Sequence, residues 1–167
     1  MYKMNDFIIY GSCGVCKIIE VGVPDITGID KNKLYYTLMP INARGSFIYT
    51  PVDNQKVLMR KTITEEQAKE LIDLIPFIPE LKSGNQKFME DKYKKAINSL
   101  DCTELVKIIK TLEGKQQAKF SEGKKLSMSD ERYMKQAEEL LYSELAIVLK
   151  LPKDDMKSYI EQRAQVR

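Results

Sequence analysis

The chain has 167 residues, 43% of them hydrophobic, with 27 Lys/Arg against 24 Asp/Glu, a formal net charge of +3, three cysteines and neither His nor Trp. That is apolar material for one ordinary domain or two small ones. It excludes His-based nucleophilic catalysis and, with an odd cysteine count, a fully paired disulfide scaffold. No apolar run reaches the roughly 18 residues of a membrane span, and the opening MYKMNDFIIYG lacks the apolar segment of a secretion signal, so a cytoplasmic protein without a membrane partner is expected. Charge is uneven along the chain: residues 1–80 hold 9 basic against 10 acidic side chains, residues 81–167 hold 18 against 14. A weakly acidic first part and a basic second part suit a protein with two different partners, and equally suit ordinary solvated helices.

The first sixty residues read as β structure. FIIY at 7–10 and VCKIIEV at 15–21 are rich in β-branched and aromatic side chains, with a small-residue turn between them. LYYTLMP at 34–40, SFIYTP at 46–51 and KVLMR at 56–60 follow, linked by PDITGIDKNK and by the tight-turn candidate NARG at 42–45. Pro40 and Pro51 are expected to mark strand ends, since a proline cannot donate to a central ladder. Five short strands with brief links predict a small curled sheet or barrel.

At Thr64 the period changes. TEEQ at 64–67 is a capping-box pattern, and Ala68, Leu71, Ile72 and Ile75 form an apolar stripe ended by Pro76 and Pro79. This short helix is expected either to pack on the sheet or to begin a bridge to a second domain. From about Gly84 the chain reads as helical. Phe88, Met89, Tyr93, Ala96, Ile97 and Leu100 line one segment, and Leu105, Ile108, Ile109 and Leu112 a second, with Asp101 as its cap. The polar stretch EGKQQAKFSEGKKLS interrupts the pattern around 113–127, and part of it is also compatible with a continuation of the second helix. Ser127 and Asp130 then open the longest stripe, with Met134, Ala137, Leu141, Leu145 and Val148, and Pro152 separates a last piece with Met156, Tyr159 and Ile160. Three or four such helices can bury a common core.

Enzyme chemistry finds little support. Cys13 and Cys16 are half of a zinc ribbon without the other half, and Cys13 lies in a turn rather than at the helix N-terminus a redox thiol needs. Both read as small side chains of a turn and a strand. EGK at 113–115 and 122–124 lacks the rest of a phosphate loop, and the pairs Glu65/Glu66 and Glu138/Glu139 point apart on a helix. No catalytic residue, metal or cofactor is expected. In KFMEDKYKK at 87–95, by contrast, Lys87, Lys92, Lys94 and Lys95 interleave with Phe88, Met89 and Tyr93. Lysines neutralise phosphates and a flat or apolar side chain can wedge against bases; the same pattern also describes a helix with a buried face and solvated lysines. Lys115, Lys119, Lys124 and Lys125 could add phosphate contacts, and Tyr35, Tyr36, Phe47 and Tyr49 are either core or a partner face.

Two stretches carry a family resemblance. YGSCGVCKI at 10–18 resembles the Y-P-x-H-G-V-G-x-I opening of the CarD/CdnL family of bacterial transcription regulators, and PVDNQKVLMR at 51–60 is similar to the P-V-D-N segment that ends that family's small β domain. TITEEQAKELIDLI, KYKKAINSL, LVKIIKTL and ERYMKQAEELLYSELAIVL follow in the family's order and spacing. The resemblance covers nearly the whole chain. It implies an α+β protein of two domains: a Tudor-like/SH3-like β domain (1–64) that binds the RNA polymerase β subunit, a short helix and Pro-containing linker (65–80), and a compact all-helical domain (81–167) that contacts promoter DNA near the upstream edge of the melted region.

The sequence departs from the family at telling places. Gly11, Cys13 and Cys16 stand where the opening has Pro, His and Gly, and the tryptophan that wedges into the DNA minor groove falls at Met89, with Asp91 where a basic residue is usual. On this basis Tyr36, Arg44, Phe47 and Tyr49 are the candidates for contact with polymerase, and Met89, Lys92, Lys94, Lys124 and Lys125 those for contact with DNA. The expected function is noncatalytic modulation of open-complex stability by a monomer, associated with the nucleoid through polymerase. The alternative is a polymerase-binding adaptor with little or no direct DNA contact.

Overall fold

The structure, a computed structural model, describes residues 1–165. It divides into two units, Met1–Thr62 and Ile63–Arg167. The first is a five-stranded antiparallel sheet of β1 (Phe7–Tyr10), β2 (Val15–Gly22), β3 (Tyr35–Pro40), β4 (Ile48–Pro51) and β5 (Met59–Lys61), in the order β4-β3-β2-β1-β5. The last strand thus returns to pair with the first, as in Tudor-like and SH3-like domains. Pro40 and Pro51 are the final residues of their strands. Between β1 and β2 a 3-10 turn over Gly11–Cys13 reverses the chain, with Gly11 at φ +46° and Gly14 at φ +70°, backbone that glycine adopts without a Cβ clash. Cross-strand partners Ile8 and Cys16, then Ile18 and Leu38, build a core completed by Tyr36. An irregularity between Ile18 and Glu20 lets Val21 pair with Tyr36.

The second unit holds α1 (Glu65–Leu74), α2 (Gln86–Ser99), α3 (Cys102–Ser121), α4 (Met128–Leu149) and α5 (Met156–Gln165). The first four begin on side-chain caps. Thr64 and Gln67 close a complete capping box, and Asn85, Asp101 and Ser127 accept from the backbone N–H of Phe88, Thr103 and Asp130. Apolar stripes from all five helices meet in one core around Ile72, Tyr93, Leu112, Leu141 and Met156. Within this unit, Ala68, Leu71 and Ile72 of α1 are buried in the helical core, and Asp73 accepts from Arg163 of α5 at 2.7 and 3.1 Å. The Lys110 ammonium finishes this segment by donating to the carbonyls of Ile75 (2.7 Å) and Ile78 (2.6 Å). A buried carboxylate, Glu144 on α4, accepts from the Ile63 N–H at 2.9 Å and from the Cys102 thiol at 3.2 Å.

Of the two readings of the polar stretch after Leu112, the helical continuation holds for its first part, since α3 continues through Ser121. Its Lys, Gln and Ala residues favour helix without needing a buried face. Among the described residues no helix is long and apolar enough to cross a membrane.

Candidate functional site

In the β unit, β4 is an edge strand, so one side of its backbone has no partner in the sheet. Ile48 and Thr50 turn inward while Tyr49 is 38% exposed, and Phe47, just before the strand, is 51% exposed. Arg44 is exposed in the β3–β4 connection, where Gly45 takes φ +91° and Ser46 N–H bonds to the Ala43 carbonyl at 3.0 Å. Arg44, Phe47 and Tyr49 thus lie together on one turn and edge. Tyr36 does not join them. It is 1% exposed, packs with Ile18 and Leu38, and its hydroxyl accepts from the Tyr2 N–H at 3.0 Å. Its strand lies between β2 and β4, which corrects the expectation of a polymerase-facing Tyr36.

In the helical unit, burial likewise overturns the wedge at Met89. Met89 is 7% exposed and packs in the core with Tyr93 and Ala96, which share its face at i+4 and i+7. The side chain that faces outward at this turn is its neighbour Phe88, 43% exposed, with Lys92 one turn on at 5.3 Å from the ring centroid. The ring lies against Gly84: a Cβ there would stand 2.2 Å from Phe88 Cδ1. Lys87, Lys92, Lys94 and Lys95 are all exposed, as is Asp91.

The first turn of α2 is tied to the end of α3 and the start of α4 by a polar cluster. Asp130, fully buried, accepts from Lys115 and from Gln86 Nε2 (3.1 Å), while Glu90 accepts from Ser129 and from Gln86 (3.2 Å). Burial pushes the Asp130 carboxyl up, but the bonds from Lys115 and Gln86 and the charges of Lys115 and Lys119 outweigh it and hold it below its ordinary value. The nearby Tyr93 hydroxyl is buried without a partner among the described residues, and burial together with Asp130 and Glu90 pushes it up to about 12.

This cluster brings the α3–α4 turn to the same end of the helical unit as Phe88. Lys124 and Lys125 are exposed on that turn, Lys124 within 3.6 Å of Glu122, and the flanking Phe120 and Met128 are 81% and 88% exposed. Together α2 and the α3–α4 turn expose three apolar side chains, Phe88, Phe120 and Met128, and six lysines, Lys87, Lys92, Lys94, Lys95, Lys124 and Lys125. The apolar stripe expected for this segment includes Phe88, yet its i+4 and i+7 neighbours are Lys92 and Lys95, a phase that points it outward. Phe120 and Met128 sit in or beside the polar stretch, where no periodic signal singled them out.

Such an end can hold phosphates and press an apolar surface on bases. No group of three or more His, Cys, Asp or Glu that could hold a metal occurs among the described residues. Cys13 is exposed, whereas Cys16 is buried in the sheet, where burial and then its neighbour Cys13 push its thiol up to about 12. In the comparisons with known proteins, the model of the CarD-like/TRCF RID domain matches residues 2–63, and that of the CarD, C-terminal domain matches residues 81–161. No curated protein matches the chain.

Proposed function

The chain belongs to the CarD family, with the noncatalytic, polymerase-linked role in transcription regulation which that membership carries, and from this premise we propose that it binds the RNA polymerase β subunit through the β4 edge and engages promoter DNA with the Phe88 end of its helical unit. The observation that carries the DNA reading is the outward Phe88 ring, set among Lys87, Lys92, Lys94 and Lys95 on a helix joined at its first turn to the lysine-bearing α3–α4 turn. Lysines give attraction that is indifferent to sequence, and the ring gives an apolar face for an unstacked base step. Polymerase supplies the missing affinity, because tethering by the β domain raises the effective DNA concentration at the helical domain. At the β4 edge a partner strand would add its backbone to β4, with Phe47, Tyr49 and Arg44 alongside.

The reading as an adaptor without DNA contact draws on Met89, buried where the family's wedge falls, and on the exposed Asp91 beside it. One experiment separates the two. Promoter-complex lifetime with purified polymerase is measured for the full chain and for Phe88→Ala and Lys92→Ala/Lys94→Ala, alongside binding to polymerase. Shorter lifetimes with unchanged polymerase binding support DNA engagement; unchanged lifetimes in folded, polymerase-bound variants establish the adaptor. The polymerase assignment fails if Phe47→Ala/Tyr49→Ala binds polymerase as the parent does.

A further inference from the structure

The helical unit contains a cavity of about 280 Å³ where the end of α1 meets α3, α4 and α5. Its floor is apolar, built from Ile75, Val106, Ile109, Leu141 and Ile160. Its polar groups are Glu113 of α3, Tyr142 of α4 and Glu161 of α5, and none of the three has a hydrogen bond or close ion pair among the described residues. Two lysines also line it. Lys110 is committed to the Ile75 and Ile78 carbonyls, and Lys157, exposed on α5, has no close ion pair among the described residues, though its charge reaches Glu113. Glu138 of α4 adds a third carboxylate within electrostatic reach of Glu113. Burial first, and then the Glu138 and Glu161 carboxylates, push the Glu113 carboxyl above its ordinary value against the pull of Lys157 and Lys110.

An apolar cavity with a partly buried, unpaired carboxylate at its mouth fits a cation that has a hydrocarbon body. A divalent metal does not suit it, for want of a ligand cluster among the described residues. An anion would meet three carboxylates, with Lys157 the only cation of the lining, among the described residues, that is not hydrogen-bonded to the protein. The volume lies at the lower edge of the roughly 300–1,000 Å³ typical of ligand sites, which suits a short chain better than a ring system. We propose that this cavity binds a small aliphatic amine, its ammonium paired with Glu113 and Glu161 and its hydrocarbon chain on the Val106–Ile109–Leu141 floor. A free amine and the lysine side chain of another protein carry the same chemistry.

The test is calorimetric titration of the full chain with n-butylammonium, with n-butanol as the uncharged isostere and Nα-acetyl-lysine amide as the side-chain source. Saturable binding of n-butylammonium is expected, weakened about tenfold or more in n-butanol and in Glu113→Gln. Affinity should rise with pH as Glu113 ionises, since the ammonium stays charged throughout. Tighter binding of the lysine derivative than of n-butylammonium assigns a protein source, and the reverse a free amine. Equal binding to Glu113→Gln and the parent, equal binding of butanol and butylammonium, or no saturable binding overturns the site. Glu161→Gln, on the exposed side, repeats the test should Glu113→Gln not fold: it must weaken butylammonium binding severalfold.

Discussion

Gly84 and Phe88 touch so closely that a single added carbon would not fit between them: the Cβ position of residue 84 lies 2.2 Å from Phe88 Cδ1. The glycine thus lets the ring lie where it does by leaving space, and not through its own backbone angles. Gly84→Ala should displace the ring, which has solvent to move into, and so leave thermal stability within about 1 kcal/mol of the parent. If the ring engages DNA from its present position, the same variant shortens promoter-complex lifetime in the direction of Phe88→Ala. A paired measurement of melting temperature and lifetime checks this.

Met89 and Phe88, adjacent in sequence, should respond oppositely. Met89→Ala empties a packed site and is expected to cost about 2–5 kcal/mol, and Met89→Trp should also destabilise by overpacking. Phe88→Ala removes a half-exposed ring and should leave the denaturant midpoint close to the parent's. Urea unfolding of the three variants decides; a Met89→Trp chain as stable as the parent would show that the site has room for the family's tryptophan.

Asp130 and Lys115 provide a pH-dependent tie between α3 and α4. Because the Asp130 carboxyl is held below its ordinary value, its contribution to stability is full above about pH 4 and is lost as pH falls through the lowered value. Asp130→Ala leaves Lys115 and Gln86 without their shared acceptor and should cost about 3 kcal/mol at neutral pH. The gap between parent and variant should close in acid. In a double-mutant cycle with Lys115→Ala the two changes should fall short of additivity by more than about 0.5 kcal/mol.

The cysteines should separate cleanly in a labelling experiment. The thiolate is the reactive form, and Cys16 is both buried and pushed up to about 12. An alkylating reagent at pH 8 is expected to modify the exposed Cys13 in the folded chain and to reach Cys16 and Cys102 only on unfolding. Peptide mass spectrometry reads the sites, and prompt modification of Cys16 would contradict the packing of β2.

How far these features are visible in the residues alone varies with their range along the chain. The strands and the caps at Thr64 and Asp101 are local signals; both caps lie where the pattern places them, and the five strands overlap their expected segments, with β4 starting two residues later and β5 shifted to Met59–Lys61. The facing of Tyr36 is not legible in the sequence, because Tyr35, Tyr36, Thr37 and Leu38 are all buried and β3 shows no alternation from which to infer it. Met89 and Phe88 could have been told apart by helical phase, but analogy with the family placed the wedge on the residue that phase turns inward. Buried polar residues such as Asp130 and Glu144 resemble surface charges until their partners, 44 and 81 positions away, are brought to them. The same holds for α1, whose apolar stripe fits a sheet or a bundle equally well.

The hydrogen bond from Ile63 to Glu144 also sets a timetable. The β unit is complete once β5 and the residue after it have been made, because the last partners of β1 are Lys61 in the ladder and the Thr62 N–H, which bonds to the Phe7 carbonyl. The helical unit begins at once afterwards, yet its first amide waits for an acceptor 81 residues downstream. At about 5–20 residues per second on the ribosome, that is a delay of roughly 4–16 s, during which α1 exists without the helices that bury it. A nascent chain stalled shortly before Glu144 should therefore carry a protease-resistant β unit and a protease-sensitive remainder.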